Sequence, residues 1–221
     1  MAVNFKAFED IREELEATGT ILVAVSKFKP VEDIQALYDL GQRDFGENFV
    51  QELVHKQEAL PKDIRWHFIG HLQSNKVKYI APFIYLIHGV DSEKLLDEIN
   101  KQALKLSKKI NCLIQAFIAD ETTKFGFDKA EIAKLVLLKY PGIQFLGFMG
   151  MASFTDNVDK VRHEFKSLKN IASTYAPTLG LGTEPILLSM GMSGDYKIAL
   201  QEGTSIVRIG SLIFGNRNNH G

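Results

Sequence analysis

The feature that most constrains the fold is an alternation of short apolar segments with helical patterns along the whole chain. Eight segments resemble the apolar buried strands of parallel sheets: residues 21–26, 43–46, 66–70, 84–90, 112–119, 143–149, 186–190 and 205–210. The segment 43–46 is short and has the weakest pattern of the eight. Helical periodicity occupies residues 31–40, 92–106, 130–138, 157–175 and 196–201. Strand–helix alternation of this kind predicts βα units and a parallel sheet.

The number of repeats favours one particular closed architecture. Eight βα units predict a (β/α)8 barrel of the TIM type rather than an open doubly wound sheet. The length of 221 residues suits a single domain, residues 1–221, with an amphipathic segment at 1–15 as an extra helix outside the barrel. Residues 173–185 hold two prolines and two glycines, so we predict a long functional loop there.

Composition excludes several classes of partner. The formal net charge of −1 gives no basic footprint for nucleic acid or an anionic membrane, and no apolar stretch reaches the length of a membrane span. The N-terminus does not have the pattern of a signal peptide. The one cysteine, Cys112, lies in an apolar run and is predicted to be a buried core residue, so we expect a reducing, cytoplasmic setting.

Lys27 directly follows the first predicted strand. In βα proteins the C-terminal ends of the strands carry the chemistry, so its amine is placed toward a site. An amine near apolar walls loses proton affinity, and a neutral amine can add to a carbonyl and form a Schiff base. The alternatives are a surface role for Lys27 and a reactive Lys29, which lies one step further from the strand.

Two turns near the end of the sequence are predicted to bind an anion. Alternation places Arg208 and Gly210 on the same side of the last strand, and the amides of Gly210 and Ser211 can grip phosphate oxygens. The preceding strand enters a Gly/Ser turn that contains Ser193. The alternatives are an ion pair for Arg208 and a helix-capping role for Ser193 or Asp195. A reactive amine and an anion cradle together suggest a phosphorylated aldehyde as ligand.

Two further strand ends carry polar side chains. Asn48 follows the second strand, where it can donate to a ligand oxygen or cap a helix. His67 and His71 lie on either side of the third strand's end, and His71 is placed to face the barrel mouth. A zinc site is a weak alternative for this histidine pair, because no Glu or Cys set lies nearby.

Five motifs resemble those of the pyridoxal phosphate homeostasis protein family, in the family's order and over nearly the whole chain. They are Ala24-Val25-Ser26-Lys27, Gly46-Glu47-Asn48, His67-Phe68-Ile69-Gly70-His71-Leu72-Gln73, Leu188-Ser189-Met190-Gly191-Met192-Ser193-Gly194-Asp195 and Val207-Arg208-Ile209-Gly210. The resemblance implies a single-domain (β/α)8 barrel similar to the N-terminal domain of alanine racemase. It also implies pyridoxal 5′-phosphate (PLP) held covalently by Lys27.

The same resemblance assigns the remaining site residues. It implies that Ser193 and the amides of Gly210 and Ser211 hold the phosphate, and that Arg208 faces the pyridine nitrogen. Asn48 and Met192 are implied to line the ring pocket. This sequence departs from many members of the family at Phe28, where a small or polar residue is common, and we expect the Phe28 side chain to point away from Lys27.

These implied roles favour a carrier over an enzyme. Arg208 only donates hydrogen bonds, so it leaves the pyridine nitrogen unprotonated and the electron sink of PLP weak. Racemisation needs an acid or base on each face of the substrate, and in alanine racemase a tyrosine near a second domain serves one face. We expect a monomeric PLP-binding protein that maintains intracellular PLP, with PLP-dependent apoenzymes as possible recipients. The alternatives are a weak PLP-dependent amino-acid racemase and a phosphosugar lyase that uses Lys27.

Overall fold

A computed structural model describes residues 3–119, 125–181 and 185–215. Eight parallel strands form a closed barrel in chain order, and the last strand pairs with the first, with Leu22 opposite Val207. The strands are β1 Ile21–Val25, β2 Asp44–Glu47, β3 Arg65–Phe68, β4 Leu86–Val90, β5 Ile110–Gln115, β6 Ile143–Met149, β7 Leu187–Met192 and β8 Ile206–Ile209. The prediction of a (β/α)8 barrel is confirmed.

Helices surround the barrel. They are α1 Phe5–Glu16, α2 Val31–Asp39, α3 Val50–Ala59, α4 Val77–Ile80, α5 Glu93–Lys105, α6 Lys129–Lys134, α7 Val158–Tyr175, α8 Tyr196–Gln201 and α9 Ser211–Phe214. The extra N-terminal helix is α1, which Asn4 caps by accepting a hydrogen bond from the Ala7 amide, and which buries Phe8, Ile11 and Leu15. Within the described ranges, no helix is both long and apolar enough to cross a membrane.

Some predicted boundaries are wrong. Strand β5 ends at Gln115, four residues before the predicted end at 119, and the helix predicted at 130–138 ends at Lys134, before a short 3-10 segment at Leu137–Lys139. The helices α3, α4 and α9 were not predicted. The α3 sequence is largely polar, and α4 and α9 are single turns that show no periodicity. In the predicted loop 173–185, α7 continues through Tyr175, and residues 182–184 lie outside the described part.

The core has two layers because side chains alternate along each strand. A large cluster between strands and helices includes Leu22, Ile87 and Cys112, so the predicted burial of Cys112 is confirmed. Burial raises the pKa of the Cys112 thiol. Positions of the opposite parity fill the barrel interior with a smaller apolar cluster of Val23, Leu86, Leu113, Met149 and Ile206. This inner layer supports the C-terminal ends of the strands from below.

Candidate functional site

A pocket of about 550 Å³ opens at the C-terminal ends of β1, β2, β7 and β8. We call it the strand-end pocket. Every residue that the sequence assigned to the site lines it: Lys27, Asn48, Met192, Ser193, Arg208, Gly210 and Ser211. A larger groove of about 740 Å³ lies elsewhere, against α5 and residues 73–78, and its lining is mainly charged and amide side chains. The strand-end pocket is therefore where the predicted chemical groups converge.

The turn that presents Lys27 has an unusual backbone conformation. Its next residue, Phe28, has a φ of +62°, a left-handed conformation that bulky residues rarely adopt. The Phe28 amide donates a 2.6 Å hydrogen bond to Oε1 of Glu52 in α3, which holds this conformation from outside the turn. Phe28 lines the strand-end pocket together with Lys27, and its ring lies 5.0 Å from the ring of Phe49.

A buried polar cluster fixes the start of the same turn. Nζ of Lys56 donates to the Ser26 carbonyl at 2.7 Å, to Oε1 of Glu47 at 2.7 Å and to Oε1 of Glu52 at 2.6 Å. The Ser26 hydroxyl donates to the same Glu47 oxygen at 2.6 Å. We call Ser26, Glu47, Glu52 and Lys56 the turn clamp. It holds the residues on both sides of Lys27 through hydrogen bonds.

Glu47 is the most buried carboxylate of the turn clamp, with no exposed surface. Burial raises its pKa to about 7, although Lys56 and Ser26 stabilise the ionised form and oppose that rise. Its other oxygen, Oε2, is buried and has no hydrogen-bond partner among the described residues. The support beneath the Lys27 turn therefore contains a carboxyl group that titrates near neutral pH.

Lys29, the competing lysine, also lines the strand-end pocket. Its Nζ donates a 2.6 Å hydrogen bond to the carbonyl of Phe214, at the end of α9. This contact ties the Lys29 ammonium to the C-terminal segment of the barrel. It favours a structural role for Lys29.

Asn48 does not act as the helix cap that was one alternative for it. Phe49 occupies the position before α3, and no side chain caps that helix. Oδ1 of Asn48 is buried without a hydrogen-bond partner in the described part of the chain. A Cβ at Gly70 would lie 2.7 Å from the Asn48 carbonyl, so glycine is required where β3 approaches this residue. The buried amide oxygen is available to a ligand in the pocket.

Arg208 reaches the strand-end pocket from inside the barrel and is 3% exposed. Its NH1 donates to Oγ of Ser189 at 2.6 Å, and its NH2 donates to the Gly150 carbonyl at 3.3 Å. Burial lowers the pKa of Arg208 to about 10, which still leaves the guanidinium protonated at neutral pH. Both of these hydrogen bonds go to neutral acceptors, and the charge of Asp195 also acts on Arg208.

The two turns predicted to bind an anion lie side by side. The Gly210 amide donates to Oγ of Ser193 at 3.3 Å, which joins the end of β8 to the turn after β7. A Cβ at Gly210 would lie 3.1 Å from the Val25 carbonyl, so the close approach of β1 and β8 favours glycine. Asp195 precedes α8, but its carboxylate accepts from the Met192 amide and does not cap the helix. The capping alternative for Asp195 is therefore wrong.

The two histidines of the third motif have separate roles. His67 is buried in the barrel interior, and its ring nitrogens form hydrogen bonds with His88 and Asp44. His71 forms a 2.8 Å hydrogen bond with Asp91 and stacks on Phe125 at a ring separation of 4.0 Å. No group of three or more metal-binding side chains occurs in the described ranges. The pair does not share a site, because the strand end separates the two side chains.

Several residues that support the site were not predicted. Glu52 and Lys56 of the turn clamp lie on α3, a helix that the sequence pattern did not indicate. Ser189 was quoted only as part of a motif, and His88 was not considered. Among the pocket lining, Ile69, Met151 and Phe154 also went unassigned. A single polar residue within an apolar strand, such as His88 in β4, indicates a buried hydrogen bond and could have been used to predict one.

The sequence matches known proteins over nearly its full length. The family model described as "Alanine racemase, N-terminal domain" matches residues 5–218. A pyridoxal phosphate homeostasis protein of Aquifex aeolicus is 39% identical over 220 residues, which cover 96% of each chain. The human protein of the same name is 35% identical over 218 residues, which cover 93% of this chain and 79% of the human one.

Solved structures that resemble this chain also include PLP-binding proteins of this kind. The structure of PipY from Synechococcus elongatus with PLP bound matches with a TM-score of 0.85 and 31% identity, covering 95% of this chain and 99% of PipY. Alanine racemase of Clostridium difficile matches with a TM-score of 0.77 but 15% identity, over 56% of its own chain, and shares the fold alone. The chain belongs to the pyridoxal phosphate homeostasis protein family.

Proposed function

We propose that this protein binds PLP reversibly and maintains its intracellular supply. One observation carries the proposal: a lysine, a buried arginine and two anion-binding turns line a single pocket at the strand ends. PLP presents an aldehyde, a pyridine nitrogen and a phosphate, and each has a complementary group there. Free PLP reacts with exposed amines, so a protein that sequesters and delivers it has a chemical rationale.

The residues present fit the cofactor group by group. The Lys27 amine would hold the aldehyde carbon covalently. Arg208 would donate to the pyridine nitrogen, while the Ser193 hydroxyl and the backbone amides of the β8 turn would bind the phosphate. Asn48 and Met192, which line the same pocket, would contact the ring. The Gly210 amide, which donates to Ser193 in this structure, would be a donor for a phosphate oxygen.

PLP supplies an electron sink, and these residues keep that sink weak. Arg208 is an obligate donor, so the pyridine nitrogen stays an acceptor. Racemisation also requires an acid or base on the face opposite Lys27. The described residues that line the pocket include no tyrosine, histidine or cysteine. Besides Lys27 and Arg208, its titratable side chains are Lys29, which donates to the Phe214 carbonyl, and Asp195, which accepts from the Met192 amide. A carrier of PLP therefore accounts for this lining better than an amino-acid racemase does.

The decisive experiment is spectroscopic and chemical. The protein purified from cells should absorb in the visible range, and borohydride reduction followed by peptide mapping should find the adduct on Lys27. A colourless protein that does not take up added PLP would contradict the proposal and leave the phosphosugar lyase reading open. Racemisation of amino acids at rates typical of enzymes would contradict the carrier role alone.

Further features complete the proposal. Residues 1–221 act as one PLP-binding domain in a cytoplasmic monomer, and PLP-dependent apoenzymes are the recipients. The match of one family model to residues 5–218 supports the single domain, and the buried lone Cys112 suits a reducing compartment. Size-exclusion chromatography with light scattering tests the monomer. Recovery of activity in an added apoenzyme, with PLP supplied only by this protein, tests delivery.

A further inference from the structure

Five side chains from five different strands form a continuous hydrogen-bonded chain through the barrel interior. NH1 of Arg208 lies 2.6 Å from Oγ of Ser189, which lies 2.8 Å from Nδ1 of His88. Nε2 of His88 lies 2.8 Å from Nδ1 of His67, whose Nε2 lies 2.9 Å from Oδ1 of Asp44. All five residues are buried. We call this chain the barrel relay.

The barrel relay crosses the barrel from one end to the other. Arg208 lies at the strand-end pocket, whereas Asp44 and its register partner Arg65 are the first residues of β2 and β3. Arg65 binds Asp44 with two hydrogen bonds, from Nε to Oδ1 at 2.7 Å and from NH2 to Oδ2 at 2.5 Å. A cation therefore ends the relay at the pocket, and a fixed carboxylate ends it at the opposite face.

Burial favours neutral histidines between the two charged ends of the relay. Burial lowers the pKa of His67, although Asp44 partly opposes the change. Burial, with the charge of Arg208, lowers the pKa of His88 well below its ordinary value. Burial alone would raise the pKa of Asp44, but the hydrogen bonds from Arg65 and His67 outweigh it and lower that pKa. Asp44 is therefore ionised while both imidazoles are neutral.

Counting donors then fixes the direction of every hydrogen bond. The Asp44 carboxylate only accepts, so His67 donates from Nε2 and its Nδ1 is an acceptor. His88 must donate to that acceptor from Nε2, which leaves its own Nδ1 to accept from the Ser189 hydroxyl. The Ser189 oxygen accepts from Arg208. All four bonds point from the pocket toward Asp44, an arrangement in which neighbouring bonds polarise one another.

We propose that Ser189, His88, His67 and Asp44 are positioning residues that hold the Arg208 guanidinium in one orientation, with its remaining N–H groups toward the pocket. The four aligned hydrogen bonds link the buried positive charge of Arg208 to the Asp44 carboxylate and so stabilise it. Resting on the proposed function, this arrangement holds the pyridine nitrogen of PLP as an acceptor and suppresses its protonation. Asp195 is a further carboxylate whose charge acts on Arg208.

A purely structural role explains this arrangement less well. The same interior holds the apolar cluster of Val23, Leu86, Leu113, Met149 and Ile206, so aliphatic side chains fill the barrel where no ligand contact is needed. Two buried neutral imidazoles are a costly way to fill space unless each nitrogen has a partner. Here both rings are fully partnered, and the chain ends at the residue that faces the pocket.

The first test needs neither a variant nor the cofactor. Nitrogen-15 NMR of the histidine-labelled apoprotein should show His67 and His88 as neutral rings that carry their protons on Nε2. Both rings should resist protonation while exposed histidines titrate. A proton on Nδ1 of either ring, or titration of either ring with the exposed histidines, would overturn the assigned direction of the relay. This result does not depend on whether the protein binds PLP.

The second test compares matched variants. Ser189→Ala removes the relay's acceptor for Arg208 and leaves the Gly150 carbonyl. Thr204→Val removes a buried hydroxyl that lies 2.9–3.0 Å from three carbonyl oxygens without contacting Arg208. Asp44→Asn removes the charge at the far end of the relay. Its control is Asp63→Asn, since Asp63 also binds an arginine, Arg43, at 3.0 Å but lies outside the relay.

The readout is the nitrogen-15 shift of labelled pyridine nitrogen in bound PLP as a function of pH. Ser189→Ala should raise the protonation constant of that nitrogen at least about tenfold, or about one pH unit. Asp44→Asn should act in the same direction with a smaller shift, and both controls should match the wild type. Equal titration in all five proteins would overturn the proposal. Failure of the wild type to form an adduct at Lys27 would instead overturn the proposed function.

Folding is monitored separately for each variant by circular dichroism and urea unfolding. If Ser189→Ala does not fold, Asp44→Asn supplies the comparison, because it keeps the shape of the side chain at the far end of the relay. An Asp44→Asn variant that folds, binds PLP and titrates like Asp63→Asn would then overturn the proposal, and a raised protonation constant would support it.

Discussion

The turn clamp and the barrel relay are both buried polar clusters, but their hydrogen bonding is balanced differently. In the relay each ring nitrogen has one partner, and its histidines have lowered pKa values. In the clamp two carboxylates share the Lys56 ammonium, and Oε2 of Glu47 has no partner among the described residues. The relay is therefore insensitive to pH near neutrality, whereas the clamp contains Glu47 with a pKa of about 7.

The two clusters support residues that are proposed to bind opposite ends of the ligand. The clamp supports the turn of Lys27, which is proposed to bond to the aldehyde, and the relay supports Arg208, which is proposed to face the ring nitrogen. A change in pH near neutrality should alter the support of the lysine and leave the support of the arginine intact. Four variants or ligands test this comparison.

We expect the largest effect, on covalent PLP binding, from substitution of Lys27, whose turn the clamp holds. Lys27→Ala should abolish the covalent PLP adduct while the protein still folds, because a side chain at a strand end adds little to the core. Borohydride reduction and peptide mass mapping measure the adduct. The exposed Lys62→Ala variant should label like the wild type, and an adduct found on Lys29 would contradict the assignment.

Lys56→Met should lower the free energy of unfolding by about 3–5 kcal/mol, because it leaves Glu47 buried without its counter-charge. Urea unfolding measures the loss, with the exposed Lys62→Met as the matched control. The loss should be larger above pH 7 than below it, since Glu47 is then ionised. Addition of Glu47→Gln should recover part of the stability. A loss that does not change with pH would contradict the role assigned to Glu47.

Pyridoxal, which keeps the aldehyde and lacks the phosphate, should bind at least about a hundredfold more weakly than PLP, or roughly 2.7 kcal/mol. The donors at Ser193, Gly210 and Ser211 are fixed on the barrel, and charge-assisted hydrogen bonds are the stronger kind. Equilibrium titration followed by absorbance measures both affinities. Similar affinities for the two compounds would place the phosphate elsewhere.

The smallest expected effect is on the pH dependence of the free energy of unfolding. The folded pKa of Glu47, about 7, lies above its ordinary value of 4.5, so the folded protein holds this proton more tightly than the unfolded chain. Its contribution to stability is present below pH 4.5 and is lost as the pH rises through about 7. Glu47→Gln should remove this dependence, on the order of 1–3 kcal/mol, from the unfolding free energy.

The control for the pH prediction is Glu13→Gln, which removes an exposed carboxylate of α1 and should keep the wild-type dependence. Urea unfolding at several pH values measures all three proteins. Identical slopes in the wild type and Glu47→Gln would show that Glu47 does not titrate in this range. The Asp44→Asn variant, measured in the same way, would show whether the relay stays insensitive to pH.

The sequence alone determined the barrel and the place of its pocket. Apolar strands alternating with helices can bury their surfaces in few ways, and eight such units close into a barrel. Because parallel strands bring their C-terminal ends together, Lys27 and Arg208 could be assigned to one pocket although they lie near opposite ends of the chain. The strand positions followed from hydrophobicity, and their ends were less accurate because tertiary pairing sets them, as at β5.

Only the tertiary structure decided what supports those two residues. The barrel relay joins Asp44, His67, His88, Ser189 and Arg208 from five strands, and no local spacing indicates which interior positions meet. The turn clamp depends on α3, a largely polar helix, and on the left-handed Phe28, whose conformation is held by Glu52. Periodicity reports which face of a strand or helix is buried. The partner of a buried polar atom depends on how the strands close, because that closure brings distant positions within hydrogen-bond distance.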